Sequence, residues 1–163
     1  MKKKFNDLIA EALTSGIVEV FPWDLEKLLA QVPDTLLLDI READEYDGAH
    51  INDSLHVPRG ILEQSCEWDY AETIPELVKS RQRPIVIVCR SGNRSVLAAQ
   101  SMALLGFEQL SSLKTGVKGW NDADLPLLNK GGETVDPDWA DSFFSPMVRA
   151  DQLAKNNEGQ TPR

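Results

Sequence analysis

The stretch from Pro84 to Leu105 limits the folds open to this chain more than any other. Ile85, Val86, Ile87 and Val88 are consecutive β-branched residues, the pattern of a short strand buried on both faces. Cys89 follows at once, then Arg90-Ser91-Gly92-Asn93-Arg94. From Ser95 an apolar series at helical spacing begins, with Val96, Ala99, Met102 and Ala103. A cysteine therefore stands at the carboxyl end of a buried strand, on a tight loop that opens into a helix. Open α/β sheets bind their ligands at that edge.

The residue types in the loop suit an anion. Gly92 and Asn93 tolerate left-handed backbone angles, so the loop can curl and turn successive N–H groups inward as a nest. The helix N-terminus adds partial positive charge at the same point. Arg90 and Arg94 contribute fixed cations, and Ser91 and Ser95 hydroxyl donors. A free thiol has a reference pKa of about 8.5, and such surroundings lower it, giving a thiolate nucleophile. The plainer reading is a small core hydrophobe, because free cysteines are among the most buried residues. A structural cysteine gains nothing from two arginines and four polar neighbours, so Cys89 is assigned as the catalytic nucleophile.

Cys89 to Arg94 resembles the active-site loop of the rhodanese (sulfurtransferase) family. Leu36 to Glu42, with Glu45-Tyr46 and Gly48-Ala49-His50-Ile51, resembles the family's upstream signature. Gly116-Val117-Lys118-Gly119-Trp120, followed by Leu125-Pro126, resembles its downstream one. The resemblance implies an α/β, rhodanese-like fold with a central five-stranded, mostly parallel sheet and helices on both faces. It places the domain at residues 17–128, as a single-domain thiosulfate sulfurtransferase type. It also implies that Asp39, Arg41 and His50 brace the loops of the site. His56 is read as structural too.

Outside that span, Phe5, Leu8, Ile9, Ala12 and Leu13 lie on one helical face, so residues 1–16 are expected as an amphipathic helical extension. Asp7 and Glu11 interrupt what a signal peptide would need as an apolar core. Residues 129–163 form a C-terminal extension. Gly131-Gly132 is expected as a flexible joint, and Asp136-Pro137-Asp138-Trp139 as a helix start. That helix bears Trp139, Phe143, Phe144 and Met147, which must find cover on the domain, a second subunit or a partner. The last eight or so residues lack apolar content and are expected to be disordered.

Several further residues have two readings. Arg59, just past a strand end, is a candidate contact for an anionic substrate. Cys66 lies beside Glu67 and Asp69, surroundings that raise a thiol pKa, so it is a poor nucleophile and at most a resolving thiol. Trp68 and Tyr70 are assigned to the core or to an apolar wall near the pocket. Trp120 is assigned as a packing anchor, and Lys118 as a solvated lysine.

Composition bounds the partners. A net charge of −9 argues against nucleic acid. No apolar run approaches membrane-spanning length. Two irregularly spaced cysteines argue against a disulfide framework or a metal site, and a reactive thiol suits the reducing cytoplasm. The chain is expected to act as monomer or homodimer without cofactor.

The resemblance implies that the Cys89 thiolate takes the outer sulfur of thiosulfate or a similar small anionic donor. The resulting persulfide passes its sulfur to a thiol, a sulfur-carrier protein or cyanide. Arg90, Ser91, Gly92, Asn93, Arg94 and Ser95 would bind the donor. Arg90 in second position favours thiosulfate-type donors over mercaptopyruvate, whose enzymes carry a Cys-Gly-rich loop. Two alternatives stand beside this. One is a protein-to-protein sulfur relay with little turnover of free thiosulfate. The other is a phosphatase or arsenate reductase of the same fold, whose loops resemble Cys-x5-Arg, one residue longer than the spacing from Cys89 to Arg94.

Overall fold

The strands Leu36–Asp39 (β2) and Ile85–Val88 (β4) are buried at every position, so each must be covered on both faces. The computed structural model, which describes residues 1–154, shows how. β2 and β4 pair in parallel, Leu36 opposite Ile85 through Asp39 opposite Val88. Val18–Val20 (β1), Leu55–His56 (β3) and Leu110–Leu113 (β5) complete a five-stranded sheet of order β1-β5-β4-β2-β3, all pairs parallel. β4, the strand that leads into Cys89, is thus the central one.

Successive residues of β2 and β4 supply two different cores, as the period of two in a strand requires. Leu36, Leu38, Ile85, Ile87 and Cys89 face one layer. It is built on Leu62 of α4 (Leu62–Ser65), Leu77 of α5 (Pro75–Val78) and Ala98, Ala99 and Met102 of α6 (Arg94–Leu104). Leu37, Val86, Val88 and Leu113 face the other. There they meet Leu25 of α2 (Pro22–Gln31), Val117 and Trp120 of α7 (Gly116–Asp122), and Ala140 and Phe144 of α8 (Pro137–Phe144). The remaining helix before the loop, α3 (Ala43–Gly48), follows the end of β2.

Residues 5–14 form α1, as the apolar spacing predicts. Ile9 and Ala12 pack with Leu13 and Ile17 on Val96 and Leu97 of α6. Phe5 and Leu8 share that face by spacing but remain exposed.

The segment after residue 128 is bound to the domain. Leu128 and His50 exchange backbone hydrogen bonds of 2.8 and 2.9 Å, and Val135 N–H donates to Leu127 O at 2.9 Å. Gly131-Gly132 is a tight turn rather than a flexible joint, since Asn129 Oδ1 accepts from the N–H groups of Gly131 and Glu133. Asp136 caps α8 by accepting from Trp139 N–H at 2.9 Å. Phe144 is buried in the domain, while Trp139 stacks on Phe143 at 4.9 Å and both stay exposed with Met147. Trp68 and Tyr70 are exposed as well, neither core nor pocket wall. The disorder expected for the final eight or so residues lies outside the described residues. Among the described residues, no helix is long and apolar enough to cross a membrane.

Candidate active site

Cys89 follows the last residue of the central strand, and its sulfur is enclosed by the loop that follows. Sγ accepts from Gly92 N–H at 3.1 Å and from Ser95 N–H at 3.4 Å, and Ser95 Oγ lies 3.3 Å away. Ser95 is the second residue of α6, so the sulfur takes a free N–H of the helix start, a group usually satisfied by a capping side chain. Asn93 at the N-cap makes no capping bond. Cys89 is only 1% exposed and shares the apolar cluster of β2 and β4. Its polar contacts nevertheless distinguish it from Cys66 of the same cluster. Burial pushes the Cys66 thiol up to about 11, against a lowering by Arg81, with Glu63 and Glu67 adding to the rise.

The loop owes its curl to Gly92 alone, at φ +89, whereas Asn93 is right-handed at φ −94. The second left-handed residue of the site is Thr115, at φ 69, a β-branched residue in a conformation that disfavours it. Next to it Gly116 lets α7 dock on the loop. Val117 N–H donates to Cys89 O at 2.9 Å and Lys118 N–H to Arg90 O at 3.1 Å. A Cβ on Gly116 would fall 2.4 Å from the carbonyl oxygens of Cys89 and Arg90. The downstream motif is thus a clamp on the backbone of the cysteine loop. The Lys118 side chain turns to Asp122 and Asp141 instead.

Behind the sulfur is a short hydroxyl chain. Ser95 Oγ lies 2.7 Å from Ser112 Oγ of β5, and both serines are fully buried. Among the described residues Ser95 Oγ is the one partner of Ser112 Oγ. A buried hydroxyl without an acceptor costs about 1–3 kcal/mol, which directs the Ser112 proton to Ser95 and leaves the Ser95 proton for the sulfur.

In front of the loop lies a pocket of about 410 Å³ walled by Phe5, Glu45, Arg90, Ser91, Asn93 and Arg94. Its two arginines differ. Arg94 is held bidentately by Glu45, Nη1 to Oε2 at 2.9 Å and Nη2 to Oε1 at 2.8 Å. Burial opposes ionisation of Glu45, but the Arg94 hydrogen bonds, the Glu42 N–H and the charges of Arg94 and Arg41 outweigh it, and its pKa lies below the usual value. Arg94 is correspondingly raised, first by its hydrogen bond to Glu45. Among the described residues no carboxylate pairs with Arg90, which leaves it as the cation available to a ligand.

The remaining expected residues sit as follows. Asp39 and Arg41 form a fully buried ion pair of 2.8 Å. Arg41 also donates to Glu45 O at 3.1 Å and to Ala49 O at 2.7 Å, which ties α3 to the end of β2 and sets Glu45 in place. His50 Nδ1 donates to Tyr46 O at 2.8 Å, and His56 Nε2 donates to Arg41 O at 2.8 Å. The Tyr46 ring stacks on both imidazoles. Neither histidine lines the pocket. Arg59 does not reach it either. Its guanidinium donates to Glu63 at 2.7 Å and to Ser101 Oγ, well along α6 from the loop, so substrate contact by Arg59 is set aside. Glu45, Phe5 and Ser112 are the site residues that sequence reasoning passes over. Only Glu45 carried a signal, as part of the upstream signature.

Comparison with known proteins agrees with this geometry. The thiosulfate sulfurtransferase GlpE of Tolumonas auensis is 28% identical over 92 residues, covering 56% of this chain and 77% of that one. The polysulfide-sulfur transferase homodimer of Wolinella succinogenes superposes with a TM-score of 0.58 at 28% identity, over 77% of this chain and 87% of that one. A Rhodopseudomonas palustris protein of unknown function, described as a possible tyrosine phosphatase, gives a TM-score of 0.70 at 26% identity, over 78% and 96%. The rhodanese-like domain model matches residues 22–123, from the start of α2 to the residue after α7, and the chain belongs to that family.

Proposed function

We propose that the protein is a sulfurtransferase that carries a sulfane sulfur from thiosulfate, or a similar anionic donor, through a persulfide on Cys89 to a thiol or cyanide. The observation that carries this reading is the environment of one sulfur atom. Two backbone N–H groups and a hydroxyl converge on Cys89 Sγ, and hydrogen bonds of this kind stabilise a negatively charged sulfur. The thiolate attacks the outer sulfur of thiosulfate. The S–S bond of the donor breaks, its electron pair leaves with sulfite, and the persulfide anion remains on Cys89. Arg90 receives the sulfonate oxygens and stabilises charge on the departing sulfite. Attack by cyanide or a thiolate on the terminal sulfur returns the Cys89 thiolate. No cofactor enters these steps, and a thiol kept reactive in this way suits a reducing compartment such as the cytoplasm.

The phosphatase reading is disfavoured by charge as well as by loop length. Phosphoryl transfer places a highly charged group among several cations. Here Glu45 lines the same wall and already holds Arg94. The relatives named for sulfur transfer support the sulfur chemistry, and a sulfur-carrier protein remains a candidate acceptor.

The test is thiocyanate formation from thiosulfate and cyanide by the purified chain. The wild type is expected to turn over and Cys89→Ser to be inactive with an unchanged urea midpoint. Equal activity in the two proteins would refute the assignment of Cys89.

A further inference from the structure

We infer that Phe5, on the first turn of α1, selects the donor: the pocket favours monoanionic thiosulfonates with an apolar or aromatic body over inorganic thiosulfate. The inference rests on the sulfur-transfer reading and narrows its substrate class. Five observations lead to it.

Phe5 is an aromatic residue left 51% exposed while lining the pocket in front of the cysteine loop. It is not required to dock α1, because Ile9 and Ala12, with Leu13, make the contact with Val96 and Leu97 of α6. Among the described residues its ring is the one apolar wall of a pocket whose other lining residues, Glu45, Arg90, Ser91, Asn93 and Arg94, are polar or charged. An inorganic anion makes no use of such a wall, whereas an aryl or alkyl group seated against it leaves water.

The charges point the same way. Glu45 neutralises Arg94, so Arg90 is the net cation of the pocket. One positive charge matches a monoanion, and a second negative charge on the donor would face the Glu45 carboxylate. The volume of about 410 Å³ falls in the range occupied by organic ligands. A thiosulfonate presents its sulfane sulfur to the loop, its sulfonyl oxygens to Arg90 and its organic group to Phe5. Attack by the Cys89 thiolate breaks the donor S–S bond, the electron pair leaves with the sulfinate, and the sulfane sulfur stays on Cys89 as a persulfide anion.

The experiment uses the full chain with benzenethiosulfonate and thiosulfate as donors and cyanide as the common acceptor. The readout is the ratio of the two kcat/KM values. Intrinsic donor reactivity cancels when this ratio is compared between variants. Phe5→Ala is expected to lower it by about threefold to tenfold, the range typical of one aromatic contact. Phe5→Tyr, which keeps the ring, is expected to hold it. A fall of less than about threefold in Phe5→Ala overturns the inference. So does an equal fall in Phe5→Tyr, since the ring would then not be what is read. If wild type transfers sulfur from neither donor, the sulfur-transfer reading itself fails and this inference with it. Transfer with a flat ratio removes only the role of Phe5.

Discussion

Replacing Asp39 with alanine should weaken the fold far more than its short side chain suggests. Both members of the Asp39–Arg41 pair are fully buried. The carboxylate accepts from Arg41 N at 3.1 Å, Nε at 3.0 Å and Nη2 at 2.8 Å. Its removal leaves a guanidinium in the interior with only the carbonyls of Glu45 and Ala49 as acceptors. Breaking a buried pair from one side costs about 3–5 kcal/mol, against a total stability of about 5–15 kcal/mol for a domain. With a urea slope of about 2 kcal/mol per molar, the midpoint should fall by about 1.5–2.5 M. The double variant Asp39→Leu/Arg41→Met removes both charges, so it should be less destabilised than the sum of its single variants. It should not recover fully, because the buried Ala49 carbonyl loses its Arg41 donor, at about 1–3 kcal/mol, whereas Glu45 O keeps the Ala49 N–H. Urea melts followed by tryptophan fluorescence measure wild type, Asp39→Ala, Asp39→Leu, Arg41→Met and the double variant. A midpoint shift below about 0.5 M in Asp39→Ala, or strict additivity in the double variant, would refute the argument.

Three other expectations test the neighbourhood of the loop. Thr115→Gly should raise stability by about 1 kcal/mol, because a left-handed β-branched residue costs more than the backbone entropy that glycine adds; a lower urea midpoint would show that φ 69 is not strained. The depressed pKa of Glu45 means that its pairing with Arg94 contributes stability fully present above the unfolded carboxylate value of about 4.3 and lost as pH falls through the folded value. The gap in urea midpoint between wild type and Glu45→Gln should therefore be constant near neutrality and close in acid, whereas a gap unchanged by pH would contradict this. Ser112→Ala should slow alkylation of Cys89 near neutral pH by about threefold, the effect of one weakened hydrogen bond, and have no effect when Ser95 is already alanine. Equal slowing in both backgrounds would remove Ser112 from the chain of hydroxyls.

What could be read from the residues alone was local. The buried strand Ile85–Val88, its terminal cysteine and the helix beyond follow from hydrophobic period and turn chemistry within about twenty residues. β2, with Asp39 at its edge, follows for the same reason. The contacts that shape the pocket lie far apart in the chain. Glu45 meets Arg94 across 49 positions, so a residue visible in the sequence only as part of the upstream signature also neutralises an arginine of the pocket. Phe5 shares its helical face with core residues, and only the structure shows that it faces the pocket in front of the cysteine loop instead of the core. Propensity also misplaced the curl, since Asn93 tolerates φ above zero and Thr115 does not, yet the tertiary clamp of α7 imposes it on Thr115. Arg59 lay at the right level of the sheet by position, and its side chain was then claimed by Glu63 and Ser101.

The central claim, that Cys89 holds a transferable sulfur, is tested most directly by mass spectrometry of the native protein after exposure to thiosulfate. The account predicts one added sulfur, located on Cys89, lost on addition of cyanide, and absent from Cys66, whose thiol is buried and pushed up to about 11. A protein that gains no sulfur, or gains it on Cys66, would contradict it.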